Sequence, residues 1–487
     1  MKRLALTLAA LASLAGDADA DAPGRLNVLF IAVDDFRPAL GCVGDPHART
    51  PNIDRLAARG TAFSRAYCQQ AVCSPSRSSL LTGRRPDSTR VFDLVTHFRA
   101  ALPGVVTLPQ HFKQHGYSAQ GVGKIFHDGY DDPPSWSVPH ERTRGANFGP
   151  EGRKLFADLR ERARASGEEA SRVRGLPVEA PDVPDESLND GWTASRAVEI
   201  LKQRAGDPSP FFLAVGFIKP HLPFVAPRRY WDLYDPARLP VADSPEPPRD
   251  APAFAPQFGG ELRQYHGVPK QGPIPEDLAR RLVHGYYAAA SYMDAQVGRV
   301  LDALQQEGLA DRTVVILWGD HGWHLGDHGM WCKHTNYERA TRSALVMSVP
   351  GQKAAGRATD ALVELVDIYP TLAEVCRLPA PDGVEGHSFA PLLDDPARPW
   401  KAAAFSQYPR GGKPTGPLMG YAVRTDRYRY VEWRKRGGAE VVARELYDHR
   451  TDPDESENVA DVAANKAIVA DLAGRLAAGW RENAPPR

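Results

Sequence analysis

An acidic doublet and an Asp-His pair at the ends of apolar runs, one cysteine in an unusual setting, and a few spaced lysines and histidines are the residues here whose types and spacing could do chemistry. Asp34-Asp35 follows the run 26–33, and Asp320-His321 follows the run Thr313–Leu317 with Trp318-Gly319 between. Adjacent carboxylates repel one another, and a bound cation relieves that repulsion. Hard oxygen donors with one imidazole suit a divalent ion held beside an anionic substrate, calcium or magnesium. Of the five cysteines, only Cys73 has proline two positions on and arginine, Arg77, four positions on. Lys124 and His127 are three apart, so on one short turn they can converge on the same oxygen. His221 follows the apolar run Phe211–Phe217, between Pro220 and Pro223, which fix the backbone of its loop. Lys333 closes the polar stretch that Asp320 opens.

These groups need a frame that brings them together. The runs 26–33, 211–217 and 313–317 read as buried parallel strands, because both faces are apolar. Helical periodicity appears at 53–58, 78–82, 192–203 and most strongly at 276–306. Strands alternating with helices indicate an α/β domain whose central sheet is mainly parallel. Open sheets of that kind place ligands at the carboxyl ends of their strands, where Asp34-Asp35 and Asp320-His321 fall. The proline-rich stretches 180–185 and 240–256 read as surface excursions that shape a cleft. After 396–401 the texture changes: 420–431 alternates like one antiparallel strand, and 458–480 reads as a closing amphipathic helix. The expected organisation is a large catalytic domain over 25–398 and a smaller α+β subdomain over 399–487.

A chain of 487 residues is long enough for a large domain with a companion. Sixty basic residues balance sixty acidic ones, so no global field points to nucleic acid or an anionic membrane, and anion recognition must be local. The beginning, Met1-Lys2-Arg3, an apolar stretch over 4–15 and Ala18-Asp19-Ala20, has the form of a signal peptide over 1–20, implying a periplasmic or secreted protein. The apolar stretch falls short of the ~20 residues that span a bilayer, so no stable membrane anchor is expected. Five dispersed cysteines suggest neither a zinc site nor a disulfide framework, and burial is the default for the four other than Cys73.

The motifs carrying these residues resemble those of the formylglycine-dependent type I sulfatases, in the alkaline phosphatase-like superfamily. Within that family they are most similar to the iduronate-2-sulfatase branch. They are Val33-Asp34-Asp35 with Thr50-Pro51-Asn52-Ile53-Asp54; Cys73-Ser74-Pro75-Ser76-Arg77 running into Arg84-Arg85-Pro86-Asp87; Gly123-Lys124-Ile125-Phe126-His127; Lys219-Pro220-His221-Leu222-Pro223-Phe224; and Asp320-His321-Gly322-Trp323-His324-Leu325-Gly326 through Lys333. Gly420-Tyr421-Ala422-Val423-Arg424-Thr425 and Glu445-Leu446-Tyr447-Asp448 extend the likeness into the last subdomain. Histidine at 321, where many sulfatases carry asparagine, is shared with that branch.

The resemblance implies a sulfuric ester hydrolase. Cys73 would be oxidised to Cα-formylglycine (3-oxoalanine) by a formylglycine-generating enzyme. One hydroxyl of the hydrated aldehyde would attack sulfur and expel the alcohol, and deprotonation of the other would release sulfate and restore the aldehyde. The resemblance favours calcium, one ion, bound by Asp34, Asp35, Asp320 and His321 with modified Cys73 next to it. Arg77 would hydrogen-bond the hydrate. Lys124 and His127 would serve the formylglycine and the sulfate, with His127 as base. His221 and Lys333, on the opposite side, would stabilise the sulfuryl oxygens and protonate the leaving alcohol, either one being the donor. The implied substrate is a sulfated carbohydrate, first a 2-O-sulfated uronate. Another sulfated sugar, a phosphoester or phosphonate, or glycan binding without turnover are the alternatives.

Overall fold

The computed structural model describes residues 25–242, 245–411 and 416–486. The expected signal peptide lies outside the described residues. Seven strands, β1 (Asn27–Val33), β2 (Thr61–Phe63), β3 (Ser118–Gly123), β4 (Phe211–Phe217), β5 (Thr313–Gly319), β6 (Leu345–Ser348) and β7 (Arg357–Thr359), form the central sheet in the order β7-β2-β6-β5-β1-β4-β3. Only β6 runs against its neighbours; the other pairings, β1 with β4 and β5, β3 with β4, and β7 with β2, are parallel. The sheet is therefore mixed and mainly parallel, as the apolar runs imply.

All seven residues of β1 are buried. Its side chains alternate between two cores: Leu29, Ile31 and Val33 pack on one face of the sheet, Val28, Phe30 and Ala32 on the other. The first face is covered by α1 (Pro51–Ala58), α3 (Asn189–Arg204) and α4 (Glu276–Gln306), whose apolar stripes join the same core. The second face receives α2 (Cys73–Thr82), which is buried along its whole length. In register, Val33 of β1 lies opposite Phe217 of β4 and Gly319 of β5, so the chain leaves all three central strands at one rim.

The last subdomain is a four-stranded antiparallel sheet, β8 (Ala404–Arg410), β9 (Leu418–Arg424), β10 (Tyr428–Lys435) and β11 (Val441–Asp448), closed by α5 (Lys466–Glu482). Two details correct the sequence reading. The alternation over 420–431 is a hairpin rather than one strand: it turns at Thr425-Asp426-Arg427, where the Thr425 N–H donates to the Tyr428 carbonyl and the Tyr428 N–H to Thr425 Oγ1. The alternation changes phase across the turn, Leu418 and Ala422 sharing a core with Val431 and Trp433. The closing helix starts at Lys466 rather than 458, because the Asn458 side chain is committed to its neighbours: Oδ1 accepts from the Leu446 N–H, and Nδ2 donates to Asp250 and Arg444 carbonyls. All five cysteines are free thiols, and Cys42 alone is not fully buried. Among the described residues, no helix is long and apolar enough to cross a membrane.

Candidate active site

The rim at the ends of β1, β3, β4 and β5, with the start of α2, carries the site residues singled out in the sequence. The Asp34 N–H continues the ladder to the Phe217 carbonyl, after which Asp35 takes a left-handed backbone (φ 56°) that turns both adjacent carboxylates into the site. Aspartate tolerates that conformation better than most residues. Tyr286 of α4 fixes the turn, its hydroxyl donating to the Asp35 carbonyl (2.9 Å). The Asp35 N–H in turn donates to Asp320 Oδ1 (3.0 Å), tying the two strand ends together.

Cys73 is the first residue of α2 and 2% exposed. Its Sγ lies 3.8 Å from Asp35 Oδ1 and 3.5 Å from His321 Nε2. One helical turn on, Arg77 is fully buried and stacks over Trp318. Its Nε donates to Asp320 Oδ2 (2.8 Å), Nη2 to Asp34 Oδ1 (3.2 Å), and Nη1 to the carbonyls of Lys124 (2.6 Å) and Ile125 (2.9 Å). The guanidinium fork thus spans Asp34, Asp320 and the β3 end, which a point charge could not do.

Lys124 Nζ donates to Asp34 Oδ2. Across the site, Lys333 Nζ donates to both oxygens of Asp35 (2.9 and 2.8 Å), and His221 Nε2 lies 3.7 Å from Asp35 and 4.0 Å from Asp34. Lys124 therefore approaches one carboxylate, and His221 with Lys333 the other. His127 sits on the Lys124 side; its Nδ1 is buried with no hydrogen-bond partner among the described residues.

Burial dominates the proton balance. Burial would raise Asp34, but Lys124, His221 and Arg77 together hold it well below the usual carboxylate range. Asp35 is raised, since burial and the Asp34 charge outweigh His221 and Lys333. Burial and the Asp34 charge push the Cys73 thiol far up, so unmodified cysteine is a protonated thiol rather than a thiolate. Burial and then the Lys124 charge bring His127 down to about 4, leaving it neutral at ordinary pH.

The donor chemistry fits a divalent cation. Ligand atoms of Asp34, Asp35, Cys73 and His221 lie within 4.8 Å of one another, as do those of Cys73, Asp320 and His321. Asp34, Asp35 and Asp320 are fully buried, a costly arrangement without positive charge at their centre. Hard oxygens predominate, which suits calcium or magnesium better than a soft metal.

One participant escaped the sequence reading. Glu261, on the loop that continues the 240–256 excursion toward α4, reaches His221 Nε2 (3.3 Å) and Lys333 Nζ (3.0 Å). Nothing in its local sequence marks it; the signal is the contact itself. Asp190 and Lys219 support the same side. Asp190 accepts the N–H groups of Ile218 and Lys219 (both 2.8 Å), and Lys219 Nζ donates to the carbonyls of His221 (3.0 Å) and Pro223 (2.6 Å). His324 and His328 bond elsewhere, to Thr335 and to backbone carbonyls of Glu246 and Asp454.

A family model described as Sulfatase matches residues 26–377. The chain belongs to the sulfatase family. A second model, N-sulphoglucosamine sulphohydrolase, C-terminal, matches 326–482 of this sulfatase. The sulfatase is 37% identical to the iduronate 2-sulfatase of Mus musculus, over 93% of this chain and 94% of that one. Its fold matches a solved structure of a protein in complex with its substrate D-glucosamine-2-N,6-O-disulfate (TM-score 0.74, 19% identity, 95% of this chain and 99% of that one). It also matches a phosphonate monoester hydrolase from Silicibacter pomeroyi (TM-score 0.74, 24% identity, 94% and 96%). The protein is thus a sulfuric ester hydrolase, and the family implies in general a metal ion and a formylglycine.

Proposed function

We propose that this sulfatase removes the 2-O-sulfate from a uronic acid of a sulfated glycan, with Cys73 converted to formylglycine by a formylglycine-generating enzyme. One calcium ion is held by Asp34, Asp35, Asp320 and His321, with residue 73 beside it. The observation that carries the reading is the position of Cys73 Sγ, 3.5 Å from His321 and 3.8 Å from Asp35, in a chain 37% identical to an iduronate 2-sulfatase. Calcium, when bound, supplies positive charge that polarises a sulfate oxygen. Formylglycine, as its hydrate, supplies a nucleophilic hydroxyl that a protonated thiol does not.

The remaining work falls to the chain's own side chains. Arg77 holds Asp34 and Asp320 in place and neutralises part of their charge. Lys124 faces the sulfate from the Asp34 side. His127, neutral through burial and the charge of Lys124, has Nδ1 free to accept a proton when sulfate is released. On the other side, His221 Nε2 and Lys333 Nζ stabilise the sulfuryl oxygens and protonate the leaving alcohol. Residues 25–398 form the catalytic domain and 399–487 the C-terminal subdomain; with 1–20 as a signal peptide, the enzyme works in the periplasm or outside the cell.

The test has two parts. Mass spectrometry across the Cys73 peptide, after expression with a formylglycine-generating enzyme, should find the thiol replaced by an aldehyde; a persistent cysteine in folded protein refutes the nucleophile. A panel of sulfated mono- and disaccharides should then show turnover of 2-O-sulfated uronates, and turnover of neutral sugars alone refutes the specificity.

A further inference from the structure

Glu261 has no part in the roles given so far, yet it contacts both groups that face the leaving alcohol. Oε1 lies 3.3 Å from His221 Nε2, and Oε2 lies 3.0 Å from Lys333 Nζ. Those groups come from segments more than a hundred residues apart, the loop after β4 and the stretch after β5. His221 Nδ1 is occupied by the Leu222 carbonyl (2.5 Å), so Nε2 is the atom left to face the site. Lys333 otherwise leans on Asp35 alone among carboxylates, the same oxygens that a bound cation would claim. Glu261 is then the carboxylate that remains to hold the ammonium.

The surrounding backbone is built to keep Glu261 there. The next residue, Leu262, is buried and its N–H donates to Cys332 Sγ (3.3 Å), directly before Lys333. Phe258 pairs with Trp331. Arg263 binds the excursion to itself through the carbonyls of Phe258, Pro269 and Gly272. Cys332 and His334, on either side of Lys333, both adopt left-handed backbone conformations (φ 81° and 74°). Neither is glycine, so that local strain is sustained by the contacts around it. Lys333 also lies over the Trp323 ring, which fixes the stem.

We propose that Glu261 is a positioning residue for desulfation, clamping His221 Nε2 and Lys333 Nζ side by side at the leaving-group oxygen. The inference rests on the roles proposed above for those two residues. The excursion that carries Glu261 is therefore part of the machinery and not only a wall of the substrate cleft.

The test is a double-mutant cycle on the formylglycine-containing enzyme with the sulfated sugar it turns over best. Glu261→Gln, which keeps the shape and loses the charge, should lower kcat roughly 10- to 100-fold with KM within about threefold, the size seen when partners orienting an active-site group are removed. Glu261→Asp should recover only part of the loss, because the shorter arm cannot span both partners. In a background already carrying His221→Ala and Lys333→Met, Glu261→Gln should cost little more, since it acts through those side chains. A purely structural role gives the same loss in every background, along with a lower melting temperature, and would overturn the inference. If His221→Ala and Lys333→Met lower kcat but Glu261→Gln does not, the clamp is wrong while their roles stand. If those two substitutions leave kcat unchanged, both readings fail.

Discussion

Removing the Arg77 fork should unfasten the site even before any chemistry is measured. Its guanidinium makes two charged bonds, to Asp320 (2.8 Å) and Asp34 (3.2 Å), with all three side chains shielded from solvent. At about 1.5–3 kcal/mol for each hydrogen bond to a charged group, the two amount to ~3–6 kcal/mol. Leaving a buried charge unpaired costs about 3–5 kcal/mol by independent reasoning, so the figures agree. Arg77→Ala should therefore lower the melting temperature by on the order of 3–6 °C in calcium-free buffer. Arg77→Lys keeps the charge but offers a single nitrogen for two carboxylates and two carbonyls, so it should recover less than half. Saturating calcium should shrink the Ala deficit, because a cation between Asp34 and Asp320 replaces part of the missing charge. The assay is thermal unfolding of the three proteins with chelator and with calcium, beside activity on a sulfated sugar, which should fall by more than about 100-fold in both variants. A calcium-free loss below about 1 kcal/mol for Arg77→Ala, typical of an exposed pair, would refute the claim that Arg77 sustains Asp34 and Asp320.

Gly216→Ala should impair activity from a distance: a Cβ there would stand 2.1 Å from the Lys124 carbonyl oxygen and 2.5 Å from its nitrogen, forcing the Lys124–His127 turn away from β4. Melting should show a cost of ~1–3 kcal/mol, and unchanged kcat with unchanged melting would contradict the packing. Asp294 of α4 caps α1 from outside, accepting the N–H groups of Asn52 (3.2 Å) and Ile53 (2.8 Å). Burial raises its pKa to about 6, above the unfolded value, so its contribution is present at low pH and is lost as pH rises through about 6. Asp294→Asn should therefore compare better with wild type at pH 8 than at pH 4; the opposite trend in melting temperatures refutes the assignment. Finally, 4-nitrophenyl sulfate should be preferred over 4-nitrophenyl phosphate, and Glu261→Gln should raise the phosphate-to-sulfate ratio of kcat/KM. An unchanged ratio would show that site charge does not select between the esters.

The sequence made the sheet centre and the rim legible for one reason: β1, β4 and β5 are apolar on both faces, and polar residues begin where they end. Asp34, Asp35, His221, Asp320 and His321 lie just beyond such ends, and Cys73 with Arg77 on α2, Lys124 with His127 after β3, and Lys333 lie in short motifs of their own, so local reading reached them. Glu261 was hidden because what recruits it, the Leu262 N–H on Cys332 Sγ, joins residues seventy positions apart. The β9–β10 turn was hidden for a different reason: Thr425-Asp426-Arg427 is a short polar break, and the change of phase across it shows only in which residues share a core. The helix boundary after 458 failed because a side-chain contact across the sheet overrides the apolar period that continues through it. The Arg77 bonds show the same limit: spacing puts it one turn from Cys73, but only the packed site directs its fork to Asp34 and Asp320.

The C-terminal sheet is coupled to the chemistry rather than appended to it. The Gln407 N–H donates to the Gln69 carbonyl (2.8 Å) and Ser406 Oγ to the Cys68 carbonyl (2.6 Å), so β8 braces the loop leading into Cys73. Arg410 Nη2 donates to the His334 carbonyl (2.6 Å), bracing the Lys333 turn as well. Behind these contacts, Arg429 is buried between Glu338 and Glu455, fastening β10 to the segment after Lys333. Counted at their formal charges, the side chains that meet in the rim are four carboxylates, Asp34, Asp35, Asp320 and Glu261, against three cations, Arg77, Lys124 and Lys333. That leaves one net negative charge, and a divalent cation turns it into one net positive charge. A sulfate monoester carries a single negative charge and a phosphate monoester close to two near neutral pH. In a site this dry, one uncompensated charge outweighs small differences in shape, so the balance favours sulfate. The same balance makes the clamp by Glu261 an electrostatic choice as well as a geometric one: a neutral residue there would still fit, but the site would then match the wrong ester.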